Sequence, residues 1–142
     1  MSVTSLLLPV FAQVVLTFGL MFWMASLRVR AIRSRSVRPR DIALRQPNWP
    51  ERATQIANCF HNQLELPILF YAVVAFILIT SSNSIIFVIL AWLYVLTRFI
   101  HARIHTGSNE VDKRFYAMLA GTVILGAMWV VFMVRTILVQ GF

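Results

Sequence analysis

Apolar residues gather into four long runs, with polar clusters punctuating them. Met1 to Leu27 carries no charged residue; after Glu65 none appears until Arg98, and that run is broken near its middle by Ser81-Ser82-Asn83-Ser84. Phe115 to Val134 is a further uncharged run. A helix needs about 20 mostly apolar residues to cross a bilayer, so the pattern predicts helices near 5–27, 54–80, 84–106 and 114–138. Lipid offers the backbone no hydrogen-bonding partner, which makes these runs helices rather than open strands, and glycines and turn residues are too few for a barrel. The expected fold class is an all-α membrane protein, a four-transmembrane-helix bundle forming a single domain over residues 1–142.

The punctuation is specific. Asn48-Trp49-Pro50-Glu51 places an interfacial tryptophan, a first-turn proline and an acid at the start of the second helix. Gly107 suits the stop of the third helix, and Asn109 with Asp112 resembles a cap opening the fourth. No basic residue precedes the apolar run of the first segment, and the run exceeds the roughly 7–15 residues of a signal-peptide core. It reads as a retained span.

Composition sharpens the class. The chain is 59% hydrophobic and 13% charged, with a mean hydropathy of +0.76, against about 25% charged residues in soluble domains. That excludes a soluble, disordered or fibrous protein. The single cysteine, Cys59, excludes an internal disulfide framework and a multi-cysteine zinc site, and reads as a small buried residue.

Charge sets the expected orientation. Arg28, Arg30, Arg33, Arg35, Arg38, Arg40, Arg45 and Arg52 lie between the first two helices, and Arg98, Arg103, Lys113 and Arg114 lie around the connection of the last two. Only Arg135 sits towards the other side. The positive-inside rule then makes the 28–52 connection a basic cytoplasmic loop and leaves both termini on the non-cytoplasmic side. The protein is expected to be a multi-pass integral membrane protein, in the cell inner membrane if prokaryotic, with the lipid bilayer as a partner. The arginine run lacks interleaved aromatics and any nucleic-acid-binding module, so it is read as setting topology and touching anionic headgroups. No nucleic-acid partner is expected.

Several polar residues fall inside the spans. Asn58, His61, Asn62, Gln63 and Glu65 occupy one half of the second helix; Arg98, His101, Arg103 and His105 occupy the matching half of the third. Ionisable groups at membrane depth are costly and normally face a partner or a cavity. Counted outward from the turn at Ser82, Glu65 is level with Arg98, Asn62 with His101, and Asn58 with His105. Steps of three and four keep each set on one helical face. The expectation is a polar ladder open towards the cytoplasm: Glu65 and Arg98 can form a buried structural ion pair, and a hydrated ligand cleft accounts for all three layers. Pro67, which cannot donate to the carbonyl of Gln63, loosens the helix beside Glu65. Ala117 and Gly121 form a small-xxx-small pair suited to close helix packing.

Asn62-x-x-Glu65 on the second helix and Arg98-x-x-His101 on the third, with Arg114 opening the fourth, resemble the MAPEG family, the membrane-associated proteins in eicosanoid and glutathione metabolism. The resemblance covers nearly the whole chain in length, span number and topology. It implies a homotrimer of four-helix bundles that binds glutathione as co-substrate between subunits and acts on a lipophilic small-molecule substrate. By position, Asn62, Glu65, Arg98 and His101 would contact the tripeptide. His105 falls where some relatives have tyrosine, Arg28 or Arg30 supplies a basic residue at the end of the first helix, and Arg114 is the catalytic arginine that assists the thiolate. The implied activity is that of a glutathione-dependent transferase or peroxidase at the cytoplasmic face. Three positions depart from the family pattern: Asn58 stands where arginine is common, Gln63 where aspartate is, and Phe115 where some relatives place serine.

The residues suit that ligand, because glutathione carries two carboxylates and an ammonium and so asks for arginines and an acid. Two other classes compete. A non-enzymatic membrane protein of the same fold is consistent with the residues at 58 and 115. A haem or metal-binding redox protein would use His61, His101, His105 and Glu65, but Arg98 in their midst opposes a cation, and no metal is expected.

Overall fold

The computed structural model describes residues 2–44 and 48–140; Arg45, one of the arginines of the basic connection, lies outside the described residues. Helix α1 (Val3–Arg33) opens on Ser2, whose hydroxyl accepts from the Ser5 amide at 3.4 Å. It runs past Leu27 and takes Arg28, Arg30 and Arg33 with it, so the basic loop starts later than the charge pattern suggests. Arginine is a good helix former and its cation complements the negative end of the helix dipole. The stop falls at Ser34-Arg35-Ser36, where the Ser36 hydroxyl donates to the Ala31 carbonyl at 2.9 Å and Arg35 turns to φ 57°. A 3₁₀ turn (Pro39–Asp41) follows.

The second span is two helices. α2 (Glu51–His61) and α3 (Leu66–Ile79) are separated by non-helical residues 62–65, where a continuous helix over 54–80 is expected from the apolar pattern. Pro67 lies in the first turn of α3, where its missing N–H is tolerated, and Glu65 occupies the N-cap with φ −99° and ψ −98°. The proline therefore breaks this span rather than loosening it.

α4 (Ile85–Thr106) and α5 (Val111–Gln140) complete the bundle. α4 ends at Gly107, as the sequence suggests; a Cβ there would stand 2.9 Å from the Arg103 carbonyl. α4 packs along α5, α1 against α2 and α4, and α3 against α5. Gly121 lets α5 approach closely, since a Cβ on it would lie 2.7 Å from Thr97 Oγ1. Four helical segments, at Val3–Arg33, Glu51–Ile79, Ile85–Thr106 and Val111–Leu138, are long and apolar enough to cross a membrane.

Core composition divides the bundle along its length. Leu6, Phe70, Ile77, Phe87, Tyr94 and Met128 belong to one dry cluster in the half that holds the start of α1 and the end of α5. Phe70 stacks on Tyr94 with ring centroids 4.7 Å apart. A smaller cluster of Leu20, Cys59 and Ala102 lies in the arginine-rich half, where Ala53, Ile56 and Ala57 are also buried. Polar side chains are buried beside them there.

Candidate functional site: a buried arginine behind an open cleft

The break in the second span creates the site. An uninterrupted helix would bond the Asn62 carbonyl to the amide four residues on. Here it accepts from Arg98 Nη2 at 2.7 Å. Arg98 is fully buried, and its cation caps the C-terminal end of α2, where the helix dipole is negative. Nη2 also reaches Gln63 Oε1 at 3.4 Å, and Nη1 lies 2.9 Å from the Met118 sulfur of α5.

Gln63 is the hub of this network. Its Oε1 accepts from Gln13 Nε2 of α1 at 3.1 Å, and its own Nε2 donates to the Cys59 carbonyl at 3.3 Å. Gln13 and Gln63 are both buried. The Gln63 amide and a helix end thus hold the guanidinium where a carboxylate is expected, with Gln13 bonded to Gln63 behind it.

The Glu65–Arg98 ion pair does not form. Ion pairs among the described residues are Arg40–Asp41 and Lys113–Glu110, and Glu65 is exposed. The physical reason is the break: at the N-cap of α3 the Glu65 carboxylate sits at a positive helix end and faces outward. The ladder is also rotated by about one residue. Asn58 is exposed, and Gln55 donates instead to the His105 carbonyl at 2.7 Å. The stripe of α2 facing α4 is Gln55, Cys59 and Gln63, not Asn58, Asn62 and Glu65.

Asn62 and His101 do meet, at an open cleft of about 220 Å³ that they line together with Val111, Arg114, Phe115 and Met118. Arg114 Nη1 donates to Asn109 Oδ1 at 2.7 Å, and Asn109 is held at φ 54° in the turn before α5. This contact fixes the guanidinium at the cleft mouth. His101 and His105 are buried edge to face, with ring centroids 5.5 Å apart. Nδ1 of each, and Arg98 Nε, have no hydrogen-bond partner among the described residues. A buried polar atom left unpaired costs about 1–3 kcal/mol, so this region calls for water or a ligand. Among the described residues no three His, Cys, Asp or Glu side chains come together to hold a metal ion.

Other expected site residues stand apart. Arg28 lies over the Trp49 ring at 4.9 Å, tying the connection to α1, and Arg30 is exposed. Neither lines the cleft. Sequence reasoning missed Gln13 altogether. A single amide in the middle of an otherwise uncharged span was the signal for it.

The fold and site define a small four-span helical membrane protein with an arginine-backed cleft in one half of its bundle. The chain belongs to the MAPEG family, whose family model matches residues 6–134. Comparisons with curated proteins and with solved structures find no match.

Proposed function

We propose that the protein is a glutathione-dependent transferase or peroxidase acting on lipophilic electrophiles or lipid hydroperoxides at the face that carries the arginines, taken as the cytoplasmic one. The observation that carries this reading is the cleft where Asn62, His101 and Arg114 converge in front of buried Arg98. Cations and amides there match the carboxylates and peptide groups of glutathione. Glu65 offers an exposed carboxylate for its ammonium.

A single chain supplies part of such a site. Asn58, His61 and Glu65 are exposed along the second span, and polar groups at membrane depth need a partner. A second copy against this face would cover them and enclose the tripeptide, in keeping with a homotrimer. Arg28 and Arg30 would then come from a neighbouring subunit.

Arg114 is the proposed catalytic residue. A free thiol has a pKa of about 8.5, and a neighbouring guanidinium favours the thiolate at neutral pH. In conjugation the thiolate forms a carbon–sulfur bond as the electrophile's leaving group departs with the bonding electrons. In peroxide reduction two glutathiones are oxidised to the disulfide while the hydroperoxide becomes an alcohol and water. Holding a water-soluble thiol beside a lipid-dissolved acceptor supplies the remainder of the rate gain. A non-enzymatic role within the same fold is favoured by one feature: Phe115 puts a ring in the cleft where some relatives have a hydroxyl.

Conjugation of glutathione to 1-chloro-2,4-dinitrobenzene, reduction of a lipid hydroperoxide, and calorimetric glutathione binding test the proposal on wild type and Arg114→Ala. Binding with turnover lost in the variant supports it. No binding and no turnover above background in wild type overturns it.

A further inference from the structure

A second hollow lies between α1 and α4 and shares no residue with the cleft. It is a trough of about 600 Å³ whose walls include Val15, Leu20, Phe99 and Ala102. Trp23, Arg103 and Thr106 form its mouth, where an adjoining hollow of about 630 Å³ shares Arg103 and Thr106 and continues over Gly107 to Lys113. Such volumes are those of small-molecule sites, roughly 300–1,000 Å³.

Gly19 shapes the trough. Glycine within a helix costs about 1 kcal/mol relative to alanine, and in membrane helices it usually admits a close neighbour. Among the described residues, no atom from beyond its own stretch of helix comes within 4 Å of the Cβ that Gly19 lacks. The space it leaves is open to an occupant from outside the chain.

Charge at the mouth says which. Arg52 donates to the Thr106 carbonyl at 2.6 Å and lies over the Trp23 ring at 5.1 Å, so it sits at the mouth with Arg103. Neither has a carboxylate within ion-pair distance among the described residues. Lys113 is different: its ammonium donates to Glu110 and holds that carboxyl below its usual range. Two uncompensated guanidinia therefore stand over an apolar slot, beside a tryptophan of the kind that marks the membrane interface. Guanidinium matches phosphate bidentately.

We propose that this groove holds one anionic phospholipid of the bilayer, with an acyl chain in the trough and its phosphate between Arg103 and Arg52. Native mass spectrometry of the full-length protein, released from micelles containing phosphatidylglycerol and phosphatidylcholine with identical chains, tests it. Phosphatidylglycerol should be retained about tenfold or more over phosphatidylcholine, and Arg103→Gln, an exposed position, should cut that preference about fivefold. Gly19→Leu, which fills the trough without meeting another part of the chain, should lower retention of both lipids. Glycerol phosphate, a headgroup without chains, should displace neither. Equal retention of the two lipids by wild type, undiminished retention by Gly19→Leu, or displacement by glycerol phosphate alone would overturn the proposal. So would a change in the number of copies per assembly in Gly19→Leu with lipid retention unaltered, which would mark the trough as a contact between chains.

Discussion

At the scale of single residues, the main finding is a buried cation held without a carboxylate. Arg98 donates to the carbonyl at the α2 helix end and to the Gln63 amide, which also accepts from Gln13. Removing the hub should loosen the seam between α2 and α4. Gln63→Leu strips Arg98 and Gln13 of an acceptor, which costs about 1–3 kcal/mol. Cys59, buried on that seam, reports the opening: its maleimide labelling should speed up about tenfold in Gln63→Leu and stay at the wild-type rate in Glu65→Gln. An equal acceleration in Glu65→Gln would mean that the acid does pair with the arginine. A second expectation concerns Arg114. If its guanidinium stabilises the glutathione thiolate, Arg114→Ala should shift the midpoint of the conjugation pH profile upward towards about 8.5, the value of a free thiol. An unshifted profile with a lower plateau would make Arg114 a positioning residue.

At the scale of elements, the decisive events are one break and one close approach. The non-helical residues 62–65 beside Pro67 interrupt the second span's hydrogen-bond ladder, and the Asn62 carbonyl becomes the ligand of Arg98. Where α4 meets α5, Gly121 admits Thr97 at a distance no Cβ tolerates. Gly121→Ala should therefore lower stability in detergent by about 1–3 kcal/mol, as overpacking does. Thr97→Ala should recover most of that loss in the double mutant. Gly126, with nothing within 4 Å of its absent Cβ, is the control. Gly126→Ala should be neutral or stabilising by up to about 1 kcal/mol, read as a shift in thermal unfolding.

At the scale of the whole molecule, the bundle is dry in one half and polar in the other, and the arginines gather at the polar end. We propose, from the positive-inside rule, that this end faces the cytoplasm. Cysteines introduced by Ser36→Cys and Ser81→Cys, in connections at opposite ends, test this in intact cells. An impermeant maleimide should label the Ser81→Cys protein directly and the Ser36→Cys protein only after permeabilisation. The reverse pattern would invert the topology and move the cleft to the other side of the membrane.

The four spans, the stop at Gly107 and the clustering of polar residues in one half were legible in the sequence because each is a local matter. Bilayer thickness sets run length, backbone sterics set the stop, and the cost of burying charge makes polar residues conspicuous in an apolar run. Asn62 and His101 do line one cleft, since a short turn fixes the level of both helices. Which acceptors surround Arg98 was not legible. Counting positions assumed an unbroken helix, while four non-helical residues rotate everything beyond Asn62 and turn Glu65 outward. Gln13 lies 50 residues from Gln63, and nothing local in the sequence specifies that α1 brings the two together. Local propensity and hydropathy determined the elements; only packing among α1, α2, α4 and α5 decided the partners of the buried charge.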